Sequence, residues 1–375
     1  MVKCMGEIRI RTLTPLWTGD VDRECKSIKE TGIIGSLRWW YEALVRGLGG
    51  YACDPTNSTC EGKNHCDACE LFGCTGWGRR FRLEIEGLSP VPLNFINLKS
   101  MPTLDWWINR TLGKNPNSLY GEAKLEIIPL RDGTNTENVL AFLLKTVSIV
   151  GGMGAKTQNG FGIFEIASEL EETKIEEGYE IFQNSIKKLN SSSNLPNFNN
   201  FFKFNVEIRD IREFSKKWTK EIKDSYTLTG FALKYLLRTE FKKINEPPII
   251  NLSDIRKRCN QVRGGVKRKY TPSKVVARYL FGSDLESDFK AEVWSKWASR
   301  INVSHIFKSN SDFFFKIWGE IPQSLNYDPN IGEVIFNREK VINHIRGILE
   351  NYFGTDVLDF EEVKFGKELI KEVLK

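Results

Sequence analysis

Apolar and polar residues alternate over residues 7–13, Glu-Ile-Arg-Ile-Arg-Thr-Leu, with Ile8 and Ile10 on one side and Arg9 and Arg11 on the other. A period of two marks a half-buried strand. The period then lengthens. Over residues 37–48, Leu37, Trp40, Tyr41, Leu44, Val45 and Leu48 share one helical face, while Arg38, Glu42 and Arg46 recur every four residues on the other, beside Trp39. Gly35 and Ser36 precede this run and Gly49-Gly50 closes it. The pattern predicts a helix starting at Gly35–Ser36, whose unpaired N–H groups would lie open to an anion. Alternation returns over 80–86 and 123–130, a helical period occupies 137–150, and a short apolar segment over 161–166 follows. The order is βαββαβ, the ferredoxin-like plan that RNA-recognition modules also use. A first domain over residues 1–185 is expected, with a cysteine-rich insert between its first helix and second strand.

Residues 171–200 are charged and then rich in Ser and Asn, which reads as a helix and a linker. An apolar run over 202–208 opens a second half. There Thr229-Gly230-Phe231-Ala232-Leu233-Lys234 echoes Ile34-Gly35-Ser36-Leu37-Arg38-Trp39, and Leu280-Phe281-Gly282-Ser283 echoes Leu71-Phe72-Gly73-Cys74. Two echoes in the same order argue for an internal duplication. Strands over 301–307 and 313–320 and a helix over 339–352 would complete the second copy. The expected fold class is therefore α+β: tandem ferredoxin-like (RRM-like) βαββαβ domains with insertions, the second over residues 200–375.

With 375 residues, 41% of them hydrophobic, the chain has enough apolar material for two cores. No apolar run approaches the ~18 residues of a membrane span and no export signal opens the sequence, so a cytoplasmic location without membrane contact is expected. In that setting eight cysteines imply thiols or metal, not disulfides. Cys53, Cys60, Cys66 and Cys69 have the spacing Cys-x6-Cys-x5-Cys-x2-Cys, and Cys66-Asp67-Ala68-Cys69 is the usual half of a structural zinc site. Cys74 is set aside, because the matching position in the second half is Ser283.

Two further stretches suit a polyanion. Residues 151–162 hold five glycines and Lys156, a loop whose backbone can lie against phosphates. It is not an ATPase P-loop: Ala155 replaces the glycine before Lys-Thr, and a helix, not a strand, precedes it. Residues 256–278 carry nine cations and no acid, among them Arg263, Lys267, Arg268, Lys269, Lys274 and Arg278. The whole chain is only +6, so everything outside this stretch is net acidic. With Gly264-Gly265 and Tyr270 interleaved, it reads as a flexible basic loop fitted to a sugar–phosphate backbone.

Three elements together resemble one family: Thr14-Pro15-Leu16-Trp17-Thr18-Gly19, the helix entry Ile34-Gly35-Ser36-Leu37-Arg38-Trp39-Trp40, and the glycine-rich loop before Phe161-Gly162. They resemble the first subunits of the Cmr effector complexes of type III-B CRISPR systems, within the RAMP superfamily of RNA-binding proteins. The resemblance implies a non-catalytic subunit of an antiviral, crRNA-guided complex. It would contact crRNA, target single-stranded RNA and neighbouring RAMP subunits. Its RNA contacts would fall on Arg38, Trp39, Arg46 and Lys156 and on Arg263, Lys267, Arg268, Lys269, Lys274 and Arg278. Structural zinc on the four cysteines is the one cofactor expected. The competing function is a metal-independent endoribonuclease that processes guide RNA. Acid–base cleavage most often uses histidine, and His65, His305 and His344 all sit in settings that suit structural roles.

Overall fold

A computed structural model of the chain describes residues 7–375 apart from 23, 57, 102–103, 114–115, 132–134, 188–194, 223–226, 262–270, 283–298 and 329–331. Strand β1 (Glu7–Thr12) buries Ile8, Ile10 and Thr12 and exposes the residues between them, as its alternation requires. It leads to α1 (Glu30–Gly47), α2 (Asp67–Phe72) and β2 (Phe81–Glu86). Then come β3 (Glu122–Pro129), α3 (Thr136–Val150), β4 (Phe164–Ile166) and α4 (Glu172–Ser185). The sheet order is β2-β3-β1-β4, with Ile8 opposite Leu125 and Ile10 opposite Ala123. All three pairings are antiparallel.

The outward side of this sheet is charged. Arg11 reaches Glu122 and Glu165, each at 3.0 Å, and Lys124 reaches Glu7 at 3.1 Å. The outward positions of β1, β2 and β3 hold Arg, Lys or Glu, except for Ile128. The aromatic platform on which RNA-recognition modules stack bases has no counterpart there.

In the second half, β5 (Phe201–Ile208) precedes α5 (Gly230–Phe241) and α6 (Pro272–Phe281). They are followed by β6 (Ile301–Val303), β7 (Asp312–Glu320), α7 (Arg338–Phe353), β8 (Leu358–Phe360) and α8 (Gly366–Val373). These strands are ordered β6-β7-β5-β8, the first sheet's arrangement over again: second, third, first, fourth. The Leu-Phe-Gly echo repeats in atomic detail. Gly73 ends α2 at φ 86°, ψ 161°, and Gly282 ends α6 at φ 89°, ψ 161°. The Leu71 carbonyl accepts from the Arg80 N–H at 3.1 Å, and the Leu280 carbonyl from the Arg300 N–H at 3.0 Å. In both halves the next residue begins the second strand.

One contiguous apolar core runs through both halves. Between β2 and β3 the connection crosses to the other half, where Asn94–Phe95 pairs in parallel with Thr227–Leu228. Among the described residues no helix is long and apolar enough to cross a membrane.

Two expectations are corrected. Helix α1 starts at Glu30, with Lys29 as its cap, because Ile33 and Ile34 extend the buried face and the Thr18 hydroxyl accepts from the Lys29 N–H at 3.1 Å. Gly35 thus lies inside the helix, and no open N-terminus faces an anion there. The basic stretch is also not one loop: Arg256, Lys257 and Arg258 lie on helix Leu252–Gln261, and Lys274 and Arg278 on α6.

Candidate functional site

The polar face of α1 holds the cysteine insert. Arg38 donates through Nε to Glu42 at 2.9 Å, through Nη1 to the Gly73 carbonyl at 2.8 Å, and through Nη2 to Cys69 Sγ at 3.1 Å. Burial works against its charge, but Glu42 and Cys69 hold the guanidinium above its ordinary pKa. Arg46 is only 6% exposed. It donates to the carbonyls of Ala52, Cys53 and Pro196 at 3.3, 3.0 and 3.1 Å. The i, i+4, i+8 spacing of Arg38, Glu42 and Arg46 therefore builds a clasp. Burial and these bonds take Arg46 away from the surface, where an RNA contact would need it.

The sulfurs of Cys53, Cys60, Cys66 and Cys69 all lie within 4.8 Å of one another, with Cys53 and Cys69 3.7 Å apart. A tetrahedral zinc with Zn–S bonds near 2.3 Å sets its sulfurs about 3.8 Å apart. The donor set and spacing fit such an ion, and Cys74, whose Sγ donates to the Thr75 carbonyl at 3.7 Å, stays outside. Burial pushes the Cys53 thiol up to about 11.

Trp40 and Trp39 part company at the seam between the halves. Trp40 is buried; its indole donates to the Gly152 carbonyl at 3.0 Å, and its ring centroid lies 5.3 Å from those of Phe201 and Trp318. Trp39 is 38% exposed and meets Trp40 and Phe201 edge-on. It stands at a cleft of about 220 Å³, whose lining includes Phe201, Trp318, Arg300, Asn302 and Glu320. Arg300 pairs with the nearly buried Glu320, whose pKa is raised by burial. The Trp318 indole N–H has no partner. The cleft thus offers one exposed aromatic ring, that of Trp39, a guanidinium and polar edges, which suits a planar base with an anionic backbone. Phe201, Arg300, Asn302 and Trp318 were missed by sequence reasoning. The duplication held the signal for Arg300, since it precedes β6 as Arg80 precedes β2.

The glycine-rich loop turns inward. Gly151 packs on Trp40 and Trp318, and a Cβ on Gly160 (φ 105°) would lie 2.8 Å from the His305 backbone nitrogen. Ala155 pairs with Trp17. Lys156 donates to the Thr111 carbonyl at 2.7 Å and lies over the Trp17 ring. Gly151 and Gly160 serve close packing between the halves, and Gly152, Gly154 and Gly162 close packing within the first.

Lys274 is exposed and Arg278 half-buried on α6. Arg263, Lys267, Arg268 and Lys269 lie outside the described residues. Each histidine is held in place. His65 bonds the Gly62 carbonyl and Glu70, and His344 the Glu246 carbonyl. His305 accepts from the Gly230 N–H at 2.9 Å and is pushed down to about 3 by burial.

Residues 9–165 match the family model of the RAMP superfamily. No curated protein matches the chain. Among solved structures, Cmr1 from Pyrococcus furiosus in its apo form aligns at 13% identity over 91% of this chain and 95% of that one, with a TM-score of 0.43. A chain of a type III-B Cmr-beta complex bound to cognate target RNA aligns at 14% identity, over 92% and 99%, with a TM-score of 0.43.

Proposed function

We propose, from the match of residues 9–165 to the RAMP family model, that this chain is a non-catalytic RNA-binding subunit of a Cmr-type, RNA-guided assembly. Its partners are crRNA, target single-stranded RNA and other RAMP subunits. Both halves are read as ferredoxin-like units, a reading supported by their shared strand order. The observation that carries the function is Trp39, an exposed ring at the mouth of an aromatic cleft beside Arg300. A base stacks on Trp39, and its backbone runs toward the cations of α6. Zinc on Cys53, Cys60, Cys66 and Cys69 is structural: four thiolates fill its coordination and leave no position for substrate.

Labelled single-stranded RNA tests this reading. One aromatic–base stack is worth about 1–3 kcal/mol, so Trp39→Ala should weaken binding by about 5- to 150-fold. Affinity of the parent should fall with salt by about 0.7 in log–log slope per phosphate contacted. Replacing Lys267, Arg268 and Lys269 together by Ala should lower that slope. Unchanged binding in both variants removes these contacts. Cleavage of RNA by the parent without added metal would replace the reading with the endoribonuclease one. Intact RNA binding with lost assembly would move Trp39 to a subunit interface.

A further inference from the structure

The insert and α1 meet at one feature that a merely packed arginine does not need. Arg38 aims Nη2 at Cys69 Sγ, 3.1 Å away, and the same nitrogen lies 4.0 Å from Cys53 Sγ. Its other two donor positions are already committed, to Glu42 and to the carbonyl of Gly73, the residue that ends α2. A neutral thiol is a weak acceptor and gives a guanidinium little reason to point at it. A metal-bound thiolate keeps its lone pairs and negative charge, and accepts N–H strongly. Four thiolates around a divalent ion sum to −2, and the site is largely buried: Cys53, Cys66 and Cys69 are under 5% exposed. Such a charge needs a compensating cation nearby. Glu42 sits between Arg38 and Arg46, so this face of α1 presents a net +1 to the cluster.

We propose that Arg38 is a positioning residue of the metal centre. It compensates the charge of the four-thiolate site through an N–H···S bond to Cys69 and locks the insert to α1. The inference rests on the reading of the four cysteines as a divalent-metal site. It also assigns to the first cation of the Gly-Ser-Leu-Arg-Trp-Trp run a partner other than RNA. Partners of this kind typically change metal affinity 10–100-fold when removed.

Metal titration of the full chain, with cobalt(II) as the probe and a chelator as competitor, tests it. The parent should bind one equivalent with the absorption of a tetrahedral four-sulfur site. Arg38→Gln, which keeps an N–H donor but no charge, should reach the same absorption while losing metal at about tenfold or more lower chelator concentration. Arg38→Lys, which restores charge without the fork geometry, should fall between Gln and the parent. Circular dichroism of the two variants checks that α1 still forms. A simple packing role would leave Gln and Lys alike, and that outcome overturns the proposal. Parent-like retention of cobalt by Arg38→Gln overturns Arg38's role and leaves the metal site standing. A parent that binds no cobalt and no zinc overturns both.

Discussion

Gly162 and Gly35 make opposite use of the same residue. Gly162 sits at φ 80°, where a Cβ would lie 2.0 Å from the Met153 carbonyl oxygen. Its own N–H donates to the Pro15 carbonyl at 2.8 Å. Gly35 lies within α1, exposed, and a Cβ there meets nothing within 4 Å. Gly162→Ala should therefore cost about 3 kcal/mol or more, from a strained φ plus a displaced loop. Gly35→Ala should stabilise by up to about 1 kcal/mol through helix propensity. Thermal melts of the two variants should shift in opposite directions; a neutral Gly162→Ala would mean that the loop accommodates a side chain. Lys316 gives a pH signature at the same scale. Its ammonium is buried and donates to the Ser148 and Ile149 carbonyls at 2.9 and 3.0 Å, at the end of α3. Burial and then Lys203 press its pKa down to about 7. Between that value and the unfolded 10.5 the unfolded chain holds more protons than the folded one, so stability rises with pH across that window and has lost this contribution below it. The slope is at most about 1.4 kcal/mol per pH unit. Lys316→Met should flatten it, as urea melts at pH 7, 8 and 9 would measure; an unchanged slope would assign the effect elsewhere.

At the level of elements, the first half was largely legible. Alternation at Glu-Ile-Arg-Ile-Arg-Thr marks β1, and the apolar stripe from Leu37 to Leu48 marks α1, because each buries one face against the core. The four cysteines were legible from the Cys-x2-Cys pair, and they do converge. What α1's other face does was not legible. Charges at i, i+4 and i+8 look the same in sequence whether they meet solvent, phosphate or an insert, and only the insert's path over the helix decides. The glycine-rich loop misled for a related reason: close approach of backbone to backbone demands glycine as strongly as approach to a phosphate does. The cleft at Trp39 escaped altogether, since Phe201, Arg300 and Trp318 are brought to it from three separate elements of the other half.

Over the whole molecule, the two halves share a strand order, but the seam between them is core. Trp40, Phe201 and Trp318 form its aromatic centre. The buried Lys234 of α5 donates to the Gln158 carbonyl at 2.5 Å, and the His305 N–H to the Gly160 carbonyl at 3.2 Å. Each of these bonds crosses from one half to the other. Separating the halves would bare those rings and take the Lys234, Lys316 and His305 donors away from their carbonyl partners, a cost comparable to unfolding a core. The halves should therefore unfold together, in one transition, despite their shared strand order. Trp318→Ala offers the test, since loss of a fully buried Trp costs about 3–5 kcal/mol. Hydrogen exchange should then accelerate by the same free energy in β1 and α3 of the first half as in β5 and β7 of the second, because the slowest amides report global opening. Faster exchange confined to β5 and β7 would mean that the seam is a contact between independently stable domains, and that a chain of this build is free to hinge about the cleft that Trp39 borders.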